Sequence, residues 1–483
     1  MSADPMPPKE MDVVVIGAGP AGVLAALRAA DLGARTTLVT RGAFGGMAAN
    51  DGPVPVRTLA HAARLVREAR QLERYGVLAG AASLDYPRLL ARVAEVVEDV
   101  NRHSALRPQI DALGVTVREH VGDVRFIDAH TLETADGLRL RADRVVICTG
   151  GVSRRLDLPG FDLTCTHSDA WSLSAAPGSM LVVGAGATGA QVASVFNALG
   201  TKVQLFQAGE RILPTEDEAV SAAVAAGFRA SGVVVHEGFG AIDSFERTAS
   251  GVRMNYSKDG QSRAAEAELV VAAVGWSADT GAMNLAAAGV ETTARGFIQV
   301  DEALRTTAPH VFAAGDVTGR LMLVPQAMRA GLLAAANAVT GAASPAADQV
   351  APVGSFTQPE YAQVGLTEAA ARARHEVLAV SVDFAAATRP IIDGRTEGFC
   401  KLVIDRPTRR ILGCHVVGER AVDIVQLAAV AMAAGLGVDG LAQVPFSFPT
   451  YAGVLGRVAA SATYQLNRTA TGDAELPPAA AFT

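Results

Sequence analysis

The chain opens with an apolar segment that runs into a glycine-rich turn and then into a helical pattern. Asp12–Ile16 is predicted to form a buried strand, Val23–Leu32 a helix closed by Gly33, and Arg35–Val39 a second strand. A strand, a helix and a return strand with glycines at the first turn indicate a βαβ unit of the dinucleotide-binding type.

The same pattern occurs a second time. Met180–Val183 is predicted to form a strand, a helix follows to Leu199, and Lys202–Phe206 is predicted to form the return strand. In such units the first glycine allows the tight turn, the second lets backbone N–H groups approach a pyrophosphate, and the third allows close helix–strand packing. The helix N-terminus then offers its free N–H groups to the phosphates. Two complete copies predict two dinucleotide sites.

After the second βαβ unit, two predicted strands end near a glycine and a carboxylate, residues that are common in ligand sites. The pattern of predicted elements then changes. The first, Leu269–Val274, stops at a glycine, and the second, Phe312–Val317, contains a carboxylate. From residue 351 onwards, strands are predicted at Phe399–Ile404 and Ile411–Val417, followed by an alanine-rich helix, Asp423–Ala434. This mixture predicts a separate α+β domain at the C-terminal end.

Length, charge and cysteine content exclude several classes of protein. A chain of 483 residues, half of them hydrophobic, predicts two to four domains with large cores. The net charge of −7 argues against a nucleic-acid partner. The four cysteines, at positions 148, 165, 400 and 414, lack metal-ligand spacing, so no metal is expected and a cytoplasmic location is favoured.

Hydropathy gives no sign of a membrane segment. The longest apolar run, Ile424–Val438, contains Gln426 and is shorter than the ~20 residues that a spanning helix needs. The opening Met1–Met11 lacks the basic and apolar regions of a signal peptide. A protein without a membrane span is expected.

Taken together, these features resemble the pyridine nucleotide–disulfide oxidoreductase family, whose members include lipoamide dehydrogenase, glutathione reductase, mercuric reductase and the soluble transhydrogenase. The resemblance rests on the two fingerprints, on Ile147–Gly151 (ICTGG), on Ala313–Asp316 (AAGD) and on the C-terminal α+β pattern. It implies an α/β fold with two Rossmann-like domains, for FAD and NAD(P)H, and a C-terminal α+β dimerisation domain. It also implies a homodimer whose active sites are each completed by the partner.

The resemblance implies domain boundaries and cofactor-binding residues. The FAD domain would span 1–155 and 281–348, the NAD(P) domain 156–280 and the dimerisation domain 349–468, with a flexible tail at 469–483. The residues assigned to FAD are Gly17, Gly19, Pro20, Ala21, Gly22, Thr40, Arg41, Gly45, Gly46, Thr149, Gly150, Gly315, Asp316 (on the ribityl chain) and Ala327. Those assigned to NAD(P) are Gly184, Gly186, Ala187, Thr188, Gly189, Gln207, Arg211 and Gly275.

The chain departs from the family where a disulfide would be reduced. Residues 45–57 align with the family's redox-active stretch, GGTCxNxGCxPSK, and Ala48 and Pro53 occupy its two cysteine positions. A dithiol relay needs two sulfur atoms, one of them a stabilised thiolate. The family's C-terminal histidine and glutamate, an acid–base pair in relatives, are replaced by Phe448 and Gly453. We therefore expect a flavoenzyme that does not use a cysteine pair.

Other departures concern charge near the cofactors. The family's lysine–glutamate pair beside the flavin becomes Arg57 and Gln191, so the positive charge is kept and the counter-charge is lost. An acidic residue usually binds the adenosine ribose in such folds. Thr40 occupies its position in the first site and Gln207 in the second. Neutral Gln207 would not repel the extra phosphate of NADPH, and Arg211 is near enough in sequence to bind it, whereas Glu210 beside it argues the other way. Either nicotinamide cofactor is therefore expected to work, with a slight preference for NADPH.

These departures suggest where the electrons go. Ala48, Pro53 and Phe448 would leave an apolar recess at the flavin, which suits a quinone or a similar small electron-poor acceptor. One alternative is transhydrogenation between NADH and NADPH, because Phe446–Thr450 is similar to the corresponding end of the soluble transhydrogenase. Another is a flavin-bound sensor without turnover, for which an intact second nucleotide site would have no use.

Overall fold

The computed structural model describes residues 12–77, 83–104, 106–346 and 350–471. The opening residues 1–11 and most of the predicted tail, 472–483, lie outside this part of the chain. Strands are numbered in chain order: β1 Asp12–Ile16, β2 Arg35–Val39, β3 Thr116–Arg118, β4 Val124–Phe126, β5 Thr131–Thr134, β6 Arg139–Arg141, β7 Arg144–Ile147, β8 Gly151–Ser153, β9 Ser179–Val183, β10 Lys202–Gln207, β11 Val234–Glu237, β12 Ala241–Thr248, β13 Gly251–Lys258, β14 Gln261–Ala267, β15 Leu269–Ala272, β16 Trp276–Ala278, β17 Val311–Ala313, β18 Val353–Ser355, β19 Tyr361–Gly365, β20 Val377–Asp383, β21 Phe399–Asp405 and β22 Ile411–Val417.

Helices follow the same convention: α1 Pro20–Asp31, α2 Gly46–Asn50, α3 Pro53–Ala69, α4 Tyr86–His103, α5 Leu106–Ala112, α6 His167–Trp171, α7 Ala187–Ala198, α8 Glu218–Ala230, α9 Val324–Thr340, α10 Glu368–Arg372, α11 Thr388–Ile392, α12 Ala421–Ala433, α13 Val438–Ala442 and α14 Gly453–Thr471. Short 3₁₀ turns occur at Leu72–Tyr75, Phe161–Leu163, Leu285–Ala288, Asp316–Thr318 and Phe384–Ala386. Helix α14 continues past residue 468, where the flexible tail was expected to begin.

The described chain divides into two compact units. Unit 1 consists of residues 12–59, 87–154 and 275–346, and unit 2 of residues 60–86, 155–274 and 350–471, without the gaps given above. The finer division into FAD, NAD(P) and dimerisation domains stays a prediction.

Unit 1 is built on a parallel sheet that is buried on both faces. Its strand order is β17-β7-β1-β2-β3. One face packs against α1 and α9, and the other against residues of the small antiparallel sheet β4-β5-β6. The two helices approach very closely, because a Cβ at Gly331 would lie 2.0 Å from the carbonyl oxygen of Ala21. A sheet covered on both sides explains why β1 is an almost continuous apolar run.

Unit 2 contains a second parallel sheet, with strand order β11-β10-β9-β15, and two antiparallel sheets. The antiparallel sheet β12-β13-β14 shares a core with the parallel sheet. The C-terminal sheet has the order β18-β19-β22-β21-β20, and α12 and α14 cover it. A buried ion pair joins Lys401 of β21 to Asp217, the N-cap of α8, at 2.8 Å.

The predicted fold class is confirmed, and the differences lie at element ends. Helix α1 begins at Pro20 rather than Val23, because proline is well suited to the first helical position. Strand β17 ends at Ala313, and Asp316 begins a 3₁₀ turn instead of closing the strand. Among the described residues, no helix has both the length and the apolar character needed to cross a membrane.

Candidate nucleotide and active sites

The first glycine-rich turn, between β1 and α1, is too tight for any side chain at two of its positions. Gly17 has φ +101°, and a Cβ there would lie 2.3 Å from the carbonyl oxygen of Cys148. A Cβ at Gly22 would lie 1.7 Å from the carbonyl oxygen of Gly17. These two glycines therefore hold the strand, the turn and the helix together.

The middle glycine of this turn faces open space instead. A Cβ at Gly19 would have no protein atom within 4 Å, and Gly19 is the N-cap of α1. Such an opening in front of a helix N-terminus fits the pyrophosphate of a dinucleotide. The Gly45–Gly46 pair lies against the same turn, because Gly45 N donates to Ala18 O at 2.9 Å and a Cβ at Gly46 would lie 2.7 Å from Gly19 Cα.

Three of the other residues assigned to FAD converge beside α1. Gly315 has φ +80°, and a Cβ there would lie 3.1 Å from Ala21 Cβ and 3.6 Å from Ala327 Cβ. Asp316 follows directly, and burial raises the pKa of its carboxyl group. A buried carboxyl at this position fits the predicted bond to hydroxyl groups of a cofactor.

A cavity of about 90 Å³ opens at the carboxyl ends of β1, β2 and β7. Thr40, Arg41 and Thr149, all assigned to FAD, line it. The Thr149 hydroxyl is buried and lacks a hydrogen-bond partner in the described structure, so its polar atom fits a cofactor contact. Asp123 and Asp279 also line this cavity. Neither aspartate could be predicted from the sequence, because no local motif connects them to Thr40.

The second turn, between β9 and α7, repeats the geometry of the first. Gly184 has φ +95°, and a Cβ there would lie 2.3 Å from the carbonyl oxygen of Ala273. A Cβ at Gly189 would lie 1.8 Å from the carbonyl oxygen of Gly184, whereas a Cβ at Gly186 would have nothing within 4 Å. Ala187 and Thr188 form the first turn of α7. The second turn therefore also fits a dinucleotide pyrophosphate.

The two polar residues predicted to contact NAD(P) at the end of β10 and beyond it, Gln207 and Arg211, form hydrogen bonds within the protein. Gln207 Oε1 accepts from the backbone N–H of Ala185 at 3.0 Å. The Arg211 guanidinium donates to the carbonyl oxygens of Leu213, Pro214 and Glu216 at 2.9–3.2 Å. Since Arg211 holds this loop, the structure does not strengthen the slight preference for NADPH that the sequence suggested.

Two predicted glycines lie in unit 1, at the antiparallel pair β8–β16. Gly150, with φ +83°, accepts a hydrogen bond from the Asp279 N–H at 3.1 Å. Gly275, with φ +113°, accepts one from Arg154 at 2.9 Å. Gly275 was assigned to NAD(P), but it belongs to unit 1, whereas the other residues of that assignment belong to unit 2.

Gln191, predicted to lie beside the flavin, is bonded to the backbone that leads out of β18. Its Nε2 donates to Phe356 O at 3.2 Å, and its Oε1 accepts from Phe356 N at 3.1 Å and from the Ser355 hydroxyl at 3.4 Å. The side chain is only 5% exposed. Gln191 therefore fixes α7 to the start of the C-terminal sheet within unit 2.

The residues of the predicted acceptor recess lie in both units. Ala48 lies in α2, Pro53 begins α3, and the half-buried Arg57 lies one turn further along α3, all in unit 1. Phe448 lies in unit 2, and its side chain is 82% exposed, more than any other large apolar side chain of the described residues.

All four cysteines are free thiols outside residues 45–57. Burial raises the pKa of Cys148 to about 12 and also raises the pKa of Cys165. The pKa of Cys400 is raised by its hydrogen bond with Cys414 and by burial. At neutral pH these three groups are thiols, not the stabilised thiolates that disulfide exchange requires. Within the described residues, no group of three or more His, Cys, Asp or Glu side chains is arranged to hold a metal ion.

Comparison with known proteins places these features in a family context. Residues 11–331 match the family model described as pyridine nucleotide-disulphide oxidoreductase, and residues 351–459 match the model of its dimerisation domain. The two matches together cover both glycine-rich turns and the C-terminal sheet.

Relatives match over most of the chain. Dihydrolipoyl dehydrogenase from Staphylococcus aureus is 31% identical over 455 residues, covering 92% of this chain and 94% of that protein. Mercuric reductase from Bacillus cereus is 31% identical over 446 residues, covering 92% of this chain and 70% of that protein. The crystal structure of LpdA from Mycobacterium tuberculosis has a TM-score of 0.82 at 26% identity, covering 93% of this chain and 99% of that one.

Proposed function

The chain belongs to the pyridine nucleotide–disulfide oxidoreductase family, and we propose that it transfers electrons from NAD(P)H to a non-disulfide acceptor without a cysteine relay. Members of this family are FAD-dependent and use NAD(P)H. When bound, FAD accepts an electron pair from NAD(P)H and delivers it to a second molecule. The acceptor that best suits the site is a quinone or a similar flat, electron-poor molecule.

One observation carries the proposal. The Gly45–Gly46 pair lies against the first glycine-rich turn, so the segment that begins there is at the predicted FAD site. From Gly45 to Arg57 this segment contains one sulfur atom, the thioether of Met47, and no thiol. A thioether cannot form or reduce a disulfide. The four thiols of the chain lie in other segments.

We propose that Ala48 and Pro53 line the acceptor recess, and that Phe448 contributes to it across the homodimer interface. None of these side chains can donate or accept a proton, so the recess would select acceptors that need little acid–base assistance. The exposed Phe448 lies in the part of the chain that matches the dimerisation domain. We propose that in the homodimer it is covered by the partner subunit and helps to close the recess.

Arg57 and Gln191 are given different roles in this proposal. Arginine keeps its positive charge at any working pH, and we propose that Arg57 favours negative charge on the bound cofactor. The hydrogen bonds of Gln191 to Ser355 and Phe356 make it a positioning residue for α7.

Quinones and disulfides are expected to differ clearly in how fast they reoxidise the reduced flavin. The holoprotein, reduced anaerobically with NADH or NADPH, should be reoxidised by menadione, whereas lipoamide and glutathione disulfide should leave it reduced over the same interval. Stopped-flow absorbance of the flavin measures both outcomes, and a mixing reaction with buffer alone is the control. Reoxidation by lipoamide at a rate similar to that by menadione would contradict the proposal.

The same experiment separates the two alternatives. Rapid reoxidation by an oxidised nicotinamide analogue, without reoxidation by quinones, would favour transhydrogenation. A flavin that neither NADH nor NADPH reduces would favour a sensor without turnover.

A further inference from the structure

The cavity at the ends of β1 and β2 lacks the acidic side chain that usually follows the second strand of a dinucleotide fold. Thr40 occupies that position and is 7% exposed. A carboxylate makes charge-assisted hydrogen bonds to ribose hydroxyls, which are stronger than those of a neutral hydroxyl. The chain therefore needs another source of negative charge at this cavity if the adenosine end of FAD is to be held as strongly.

Two aspartates from segments far apart in the sequence provide that charge. Asp123 lies between β3 and β4, and Asp279 directly follows β16. Both line the cavity together with Gly17 and Thr40. Arg41, the residue after Thr40, holds both of them: its Nε lies 2.7 Å from Asp123 Oδ1 and its Nη2 lies 2.9 Å from Asp279 Oδ1.

The charge of this trio matches that of the acid it would replace. Two carboxylates and one guanidinium carry a net formal charge of −1, the same as a single glutamate or aspartate. The arginine binds one oxygen of each carboxylate, Oδ1, so the two Oδ2 atoms can accept hydrogen bonds from the two neighbouring hydroxyls of a ribose. Asp279 is also fixed through its backbone, since its N–H donates to Gly150 O at 3.1 Å.

Glu133 of unit 1 provides a comparison, because it also pairs with arginines but lies away from the cavity. Glu133 accepts hydrogen bonds from Arg125 and Arg139 on the small antiparallel sheet. It is not among the residues that line the cavity. The two carboxylates are similarly exposed, at 15% for Glu133 and 22% for Asp279, so they differ in position: Asp279 lines the same cavity as Gly17 of the glycine-rich turn.

We propose that Asp279 and Asp123, held by Arg41, bind the adenosine ribose of FAD in place of the missing acid at position 40. The ligand group is the vicinal diol of the ribose, and the two carboxylates accept its hydrogen bonds. This inference concerns cofactor retention only, so it does not depend on which acceptor the enzyme reduces.

The test measures FAD binding to the apoprotein by quenching of flavin fluorescence. Asp279→Asn should weaken FAD binding roughly 10-fold, because a charge-assisted bond becomes a neutral one, and Asp123→Asn should weaken it less. Glu133→Gln is the matched control and should leave FAD affinity unchanged. Circular dichroism of each apoprotein checks that the fold is intact.

An FAD analogue with 2′-deoxyadenosine makes the test specific for the ribose. Wild-type protein should bind the analogue more weakly than FAD, and the variant that lacks the carboxylate facing the 2′-hydroxyl, Asp279→Asn or Asp123→Asn, should bind both with similar affinity. If Asp279→Asn and Asp123→Asn each weaken the two ligands by the same factor, or if wild-type protein binds both equally, the aspartates do not contact the ribose and the inference is wrong.

Discussion

Replacing Gly19 with alanine is expected to weaken FAD binding strongly in a chain that still folds, whereas Gly22→Ala should destabilise the fold itself. A Cβ at Gly19 meets no protein atom within 4 Å, and its φ of −76° suits alanine. The added methyl group would instead occupy the space through which the pyrophosphate approaches the backbone. Moving the pyrophosphate away from the backbone N–H groups would raise the dissociation constant of FAD by at least ~100-fold.

Gly22→Ala acts on the protein rather than on the cofactor. Its Cβ would lie 1.7 Å from the carbonyl oxygen of Gly17, so the turn and α1 must move apart. We expect a loss of about 3 kcal/mol in the free energy of unfolding of the apoprotein, as for severe overpacking. Urea unfolding of both apoproteins, followed by fluorescence titration with FAD, distinguishes the two effects.

The second turn offers a matched control for this comparison. Gly186→Ala also adds a methyl group into open space, so it should keep FAD and fold normally but bind NADH and NADPH weakly. If Gly19→Ala bound FAD as tightly as the wild type, the first turn would not hold the pyrophosphate. If Gly186→Ala lost FAD instead, the assignment of the two turns would be wrong.

Gln191→Ala is expected to destabilise unit 2 by roughly 2–3 kcal/mol, because three hydrogen bonds of a buried amide are lost. Asn197→Ala is the matched control on the same helix. Its amide bonds Ser231 at the surface, so its removal should cost well under half as much.

Chemical denaturation of the two variants measures the difference directly. Equal and small effects would show that Gln191 does not hold α7 to the C-terminal sheet. In that case a role beside the flavin, as first expected from the sequence, would become the better interpretation.

The sequence predicted the elements around both glycine-rich turns well, because local patterns determine them. The bounds of β1, β2 and β22 agree with those expected from alternating and continuous apolar runs. Each turn also has the steric requirement for glycine that the motif implies. The differences lie at element ends: α1 begins at Pro20 instead of Val23, since proline suits the first helical position, and β9 and β10 are each one residue longer than expected.

What the sequence did not predict are contacts between distant segments. The pairing of Arg41 with Asp123 and Asp279 joins residues up to 238 positions apart, and no spacing rule reveals it. The same is true of the bond between Gln191 and Phe356. The loop contacts of Arg211 were also not predicted: its guanidinium binds carbonyl oxygens of its own loop, and its assignment to the NAD(P) site stays a prediction.

The most direct test of the central proposal is an anaerobic reductive titration of the holoprotein with NADH, followed by absorbance. A family disulfide reductase with its cysteine pair serves as the positive control. Without a thiol beside the flavin, one pair of electrons per FAD should bleach the flavin completely, and no long-wavelength charge-transfer band should appear. A thiolate–flavin band at that stage, with a second electron pair needed for full bleaching, would contradict the account.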